Sequence, residues 1–186
     1  MICCGFGHRV MLMDIEKPLR ELVERLVAER GADVFYTGGM GEFDELFART
    51  VRGIKRDCPF LRLVLVMPYL TARLNVDKAL YEAQYDEILI PAELDGVHPK
   101  SAISLRNRWM VDRSEIVISA LHRNYGGAAN AIRYAEIIGK EIRVITTKCG
   151  LANGLGEREG DCRSGGIWLR SDCQYSENRK PSELPA

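Results

Sequence analysis

Apolar strand-like runs alternate with amphipathic helical stretches from the start of the chain to about residue 147, and few architectures satisfy that rhythm. The runs are "MICCGF", "DVFYT", "LRLVLVMPY", "DEILIP", "EIVISAL" and "EIRVITT". Between the first two, Leu19, Leu22, Val23, Leu26 and Val27 recur at helical spacing over residues 17–30. Pro18 suits the first turn of that helix, and Gly31 stands where a helix end favours a left-handed residue. Phe43, Leu46, Phe47, Val51 and Ile54 mark one face of a second helix over residues 42–57. Further helices are expected over residues 72–84, along "KSAISLRNRWMVDRS", and through Ile138, closed by Gly139. A strand as uniformly apolar as "LRLVLVMPY" is covered on both faces. Strands and helices in strict alternation imply parallel strands joined by right-handed crossovers. The expected fold is a three-layer α/β sandwich with a mainly parallel central sheet.

The pattern places one domain over residues 1–148. Residues 149–186 are rich in Gly, Ser, Arg and Glu, with "GGIWL" as their one apolar run, and read as a mobile or partner-dependent tail. No apolar run approaches the ~20 residues that span a bilayer. The opening residues do not read as a signal peptide. The expectation is a cytoplasmic protein. Lys plus Arg and Asp plus Glu both total 26, a formal net charge of zero. Dedicated nucleic-acid binders usually carry a basic excess, so nucleic acid is expected to be an unlikely partner. Of the six cysteines, none forms a C-x-x-C pair, so the usual zinc and thioredoxin signatures are missing. Reduced thiols are the simpler expectation, although Cys149, Cys162 and Cys173 are close enough in sequence to share a metal. Nothing else calls for a metal or cofactor.

Ligands of open parallel sheets bind at the carboxyl ends of the strands, near the reversal in strand order. Three glycine-bearing loops follow strands and should meet there: "GFGHR", "TGGMGEFD" and "NYGG". They contribute Gly7, His8, Arg9, Thr37, Gly38, Gly39, Gly41, Gly126 and Gly127. Glycine lets backbone N–H groups approach an anion at the start of a helix, whose dipole favours negative charge. Gly38, Gly39 and Gly41 alone could equally supply positive-φ turns; three such loops on one edge favour a ligand cradle. Arg9 can be a solvated charge or a phosphate partner, and His8 a locally packed ring. Glu42 and Asp44 sit where acids favour a helix start, and either could instead hold ribose hydroxyls or act as a general acid or base. Trp109 and Met110 read as core. Arg106 and Asn107 suit a phosphate and a ribose or base edge, while an ion-pair network would explain part of the charge crowding in "RNRWMVDR".

Over about residues 2–146, the chain resembles YpsA-like proteins of the SLOG superfamily, the Rossmann-like clan that includes the Smf/DprA and LOG proteins. The segments carrying the resemblance are "FGHR", "YTGGMGEFD", "LVLVMPYLT", "GVHPKSAI", "RNRWMVDRS" and "YGGAANAIRYA", in that order. The resemblance implies a Rossmann-like domain binding a nucleotide or nucleotide-derived ligand. LOG enzymes, which cleave the base from a nucleoside monophosphate, pair an R-x-x-x-M helix segment with P-G-G-x-G-T-x-x-E. Arg106 and Met110 match the first part. In "NYGGAANAI", Ala128 stands in place of the threonine and Ala131 in place of the glutamate. The expected function is binding of a small phosphorylated, ADP-ribose-like nucleotide as a sensor or regulator, by a homodimer. Alternatives are a LOG-like N-glycosidase using Glu42 or Asp44, and a DprA-like single-strand binder.

Because the strand–helix rhythm stops at "EIRVITT", the fragment 1–151 is expected to melt cooperatively, close to the full chain. Thermal unfolding followed by circular dichroism checks this. Loss of cooperativity in the fragment would place part of the core, Trp168 first, beyond that boundary.

Overall fold

The computed structural model describes residues 1–71 and 76–145. The boundary after residue 148, Trp168 and the three distal cysteines lie outside the described residues. The elements are β1 Ile2–Gly7, α1 Glu16–Arg30, β2 Val34–Thr37, α2 Glu42–Lys55, β3 Arg62–Val66, α3 Lys78–Gln84, β4 Glu87–Leu89, a 3-10 turn Ala92–Leu94, α4 Pro99–Arg113, β5 Ile116–Ala120, α5 Gly127–Ile137 and β6 Glu141–Val144. The strands form one six-stranded sheet in the order β4-β3-β2-β1-β5-β6. Every neighbouring pair is parallel, as the alternation implied. The chain builds outward from β1 to β4, then returns to place β5 against the other side of β1. The order of growth therefore reverses between β1 and β5.

Successive strand side chains point to opposite faces, and each face has its own core. Cys3, Phe35, Leu63, Ile116 and Ile118 face one way and pack with Leu19, Val23, Phe43, Phe47 and Val51 of α1 and α2. Cys4, Tyr36, Val64, Val66 and Val117 face the other way, toward Trp109, Met110, Ala131 and Ile132 of α4 and α5. Trp109 and Met110 are core, as expected. The thiols of Cys3 and Cys4 are free, and burial pushes both up to about 12. Both are therefore neutral packing groups at physiological pH.

Local details follow the sequence closely. Gly31 ends α1 at φ 67°, a conformation that a side chain would strain. Pro99 occupies the first turn of α4, and the His98 ring accepts a hydrogen bond from the Lys100 amide. The helix expected over 72–84 is described from Lys78 and buries no residue. β4 is held on one side only, by β3, and is shorter than "DEILIP" suggested. No described helix is long and apolar enough to cross a membrane.

β1 ends where α2 crosses it, and Gly7 makes that crossing possible. A Cβ at position 7 would overlap the Cγ and Cβ of Phe43, a ring with no exposure. Gly7→Ala is expected to destabilise the domain by about 1–3 kcal/mol, the usual cost of overpacking a core. Chemical denaturation should show a lower midpoint with little change in slope.

Candidate anion-binding site

The reversal between β1 and β5 leaves a crevice at the carboxyl edge of the sheet, where the three glycine-bearing loops converge. It holds a pocket of about 300 Å³. Gly7, His8 and Arg9 arrive from β1; Gly38, Met40 and Asp44 from the loop after β2 and the start of α2. Arg123, Gly126 and Gly127 arrive from the loop after β5, and Ile103, Arg106 and Asn107 from α4. Thus most of the residues singled out in the sequence line one space. Arg123 was not among them; its signal was its place in "HRNYGG", between a strand end and a glycine pair. Thr37, Gly39, Gly41 and Glu42 are not among its lining residues.

Arg106 is the least expected feature, because its side chain is buried rather than presented on the surface. It is 2% exposed, and burial lowers its guanidinium to about 10 against the pull of Asp44. It therefore stays charged at neutral pH. Its Nη1 donates to the Val66 carbonyl at 3.0 Å, at the end of β3. Its Nε is buried with no hydrogen-bond partner among the described residues. Gly38 is the condition for this placement, since a Cβ there would overlap the guanidinium. Asn107, 8% exposed, has no side-chain hydrogen-bond partner among the described residues.

Asp44 organises the loop after β2. Its Oδ1 accepts from Thr37 Oγ1 at 2.9 Å and from the Gly38 amide at 3.1 Å. Its Oδ2 accepts from the Met40 amide at 2.9 Å. Glu42 does comparable work in the same first turn of α2, where its Oε2 accepts from the Met11 amide at 2.7 Å. Gly41 lies against the backbone of Arg9. Together these contacts fix the two loops that present Arg9 and Gly38.

The third loop ends in a helix start without a cap. Gly126 precedes α5 at φ 98°, and no side chain caps the first turn. The leading amides of α5 are consequently available at the pocket wall, where Gly126, Gly127 and Ala128 lie. Three guanidinium groups, those of Arg9, Arg106 and Arg123, face one carboxylate, Asp44. Among the described residues, neither Arg9 nor Arg123 has a carboxylate partner; Arg123 lies over the Tyr125 ring at 4.9 Å. Tyr125 itself is 62% exposed. Chemically, the pocket suits a phosphate.

The fold and pocket define a Rossmann-like α/β domain with a crevice at the strand ends. No family model matches the chain. It is 21% identical over 140 residues to the uncharacterized SPbeta prophage-derived protein YoqJ of Bacillus subtilis (strain 168), covering 67% of this chain and 82% of that one. Two solved structures of DNA processing protein A are similar to it in fold. The Helicobacter pylori protein, whose structure is described by its single-stranded DNA binding mode, superposes with a TM-score of 0.58 at 21% identity, over 81% of this chain and 67% of that one. The Streptococcus pneumoniae protein gives 0.60 at 16% identity, over 80% of this chain. Of that protein the present chain spans about half, 51% of its length. At these identities the likeness is one of fold.

One expectation is corrected by this comparison. Nucleic acid was judged an unlikely partner from zero net charge, yet a protein of this fold is described by its binding of single-stranded DNA. Net charge is a sum over the whole surface, whereas phosphate contacts depend on local guanidinium groups such as those lining this pocket.

His8 supplies a pH test of the site's framework. Its ring is 4% exposed, bonded through Nε2 to the Arg123 carbonyl, with the His122 ring 4.2 Å away. Burial, then the neighbouring His122, hold it below the usual 6.5, against the opposing effect of the hydrogen bond to the Arg123 carbonyl. Between the lowered value and 6.5 the unfolded chain binds the proton more readily, so falling pH favours unfolding. Above 6.5 this contribution to stability is complete. Melting temperature is therefore expected to fall as pH drops from about 7 through that window. In His8→Asn the slope should be shallower.

Proposed function

We propose that this protein binds single-stranded nucleic acid, seating a backbone phosphate in the pocket at the carboxyl edge of the sheet. The observation that carries the reading is the buried Arg106 guanidinium, part of a pocket lining that also holds Arg9, Arg123 and the uncapped start of α5. A phosphodiester is an anionic acceptor suited to such donors. Tyr125, exposed beside the pocket with Arg123 over its ring, offers a face on which a base could stack. The fold shared with the Helicobacter pylori protein supports this choice of ligand. A second reading, a free phosphorylated nucleotide of the ADP-ribose kind sensed by the same residues, is favoured by the pocket's volume of about 300 Å³.

Fluorescence anisotropy with labelled oligothymidylate tests the first reading. Binding should weaken as salt rises, because counterions are released from the strand. Arg9→Ala and Arg123→Ala should each weaken it by about 1.5–3 kcal/mol, the worth of a charge-assisted hydrogen bond. A folded protein that binds no oligonucleotide in low salt overturns the reading. Thermal stabilisation by ADP-ribose or a mononucleotide in that same case would favour the second.

A further inference from the structure

A second pocket, of about 290 Å³, lies between α4 and α5. It adjoins the first, for Asn107 and Gly127 line both. Its charged lining consists of the guanidinium groups of Arg108 and Arg133, with no carboxylate. Both side chains are exposed, and among the described residues neither forms an ion pair. Each is nevertheless held. Arg108 lies over the Tyr134 ring at 5.3 Å, and the Tyr134 hydroxyl donates to Asp112 at 2.7 Å. Arg133 donates through Nη2 to the Asn124 carbonyl at 2.7 Å, which ties it to the loop that closes the first pocket.

From this continuity we infer a second nucleotide subsite in the α4–α5 groove, occupied by the unit next along the strand from the one whose phosphate sits beside Arg106. The inference rests on the single-strand reading above and extends it, because it makes the recognised ligand at least a dinucleotide. A mononucleotide fills one space and leaves two guanidinium groups without an anion. A strand crossing the saddle at Asn107 and Gly127 meets both. Asn107, which lines both pockets, stands where the linking sugar–phosphate would pass, and its side-chain amide can donate to a phosphate oxygen or a sugar hydroxyl. In the groove, Arg108 and Arg133 supply the charge. Arg108 above Tyr134 presents a planar guanidinium against which a base can lie.

The test is a length series of oligothymidylates, from thymidine 5′-monophosphate through the dinucleotide to longer strands, read by competition against a labelled strand. Affinity should step up between the monophosphate and the dinucleotide. Arg108→Ala should weaken the longer strands about tenfold while leaving the monophosphate unchanged. Arg108→Lys should recover part of the loss, and an unaltered melting temperature shows that the fold is intact. Oligonucleotides that bind with no step in the series and no effect of Arg108→Ala overturn this inference alone. Failure of every oligonucleotide to bind overturns it together with the single-strand reading.

Discussion

A charge buried at the end of the sheet sets the terms for everything around it. An isolated guanidinium taken out of water costs several kcal/mol unless dipoles and counter-charge surround it. Arg106 is 2% exposed, so each compensating group had to be built into a different element. β3 ends with the Val66 carbonyl within reach of Nη1. β2 is followed at once by Gly38, where a Cβ would overlap the guanidinium. The first turn of α2 holds Asp44 close enough for its charge to oppose the effect of burial. α4 carries the arginine itself. One residue thereby fixes how the ends of two strands and the faces of two helices meet.

The same arrangement explains why the acids of "GEFD" are where they are. Asp44 uses both oxygens on Thr37 and the amides of Gly38 and Met40, while Glu42 accepts from the Met11 amide. These bonds tie down the two loops that bring Gly7 and Gly38 to the crevice. A tight turn and a ligand cradle are not alternatives at this point. Close packing of Gly38 on Arg106 and of Gly41 on Arg9 brings the cations to the pocket, and the lack of side chains leaves the space open.

The sheet and its layers were legible because they depend on short-range regularities. The alternation of "ICC" and "VFY" assigns Cys3 and Phe35 to one core and Cys4 and Tyr36 to the other, and helical spacing in α1 and α2 marks the faces that cover the first. The convergence of three loops followed from the parallel topology. The depth of Arg106 did not, since nothing in "SLRNRWMVD" distinguishes a surface arginine from one facing the sheet until the glycine opposite it is known. Arg123 escaped for a related reason. Its role depends on β5 lying beside β1, a long-range pairing that no local pattern encodes.

Net charge misled because the charges of this chain are sorted in space. Carboxylates are engaged away from the crevice in exposed or half-exposed pairs: Glu16 with Arg49, Glu141 with Arg30, Asp86 with Lys55, Glu87 with Arg62 and Glu93 with Arg113. Such pairs contribute little to stability, but they remove both signs from the long-range balance. Among the described residues, Arg9, Arg123, Arg108 and Arg133 have no carboxylate partner, and all four line one or other of two adjoining pockets. With a screening length of about 10 Å at 0.1 M salt, pairs on the far side of a domain cannot cancel the potential over that track. A strand approaching the carboxyl edge would meet a locally cationic surface on a neutral protein, and that local surface, rather than the sum over the chain, governs the encounter.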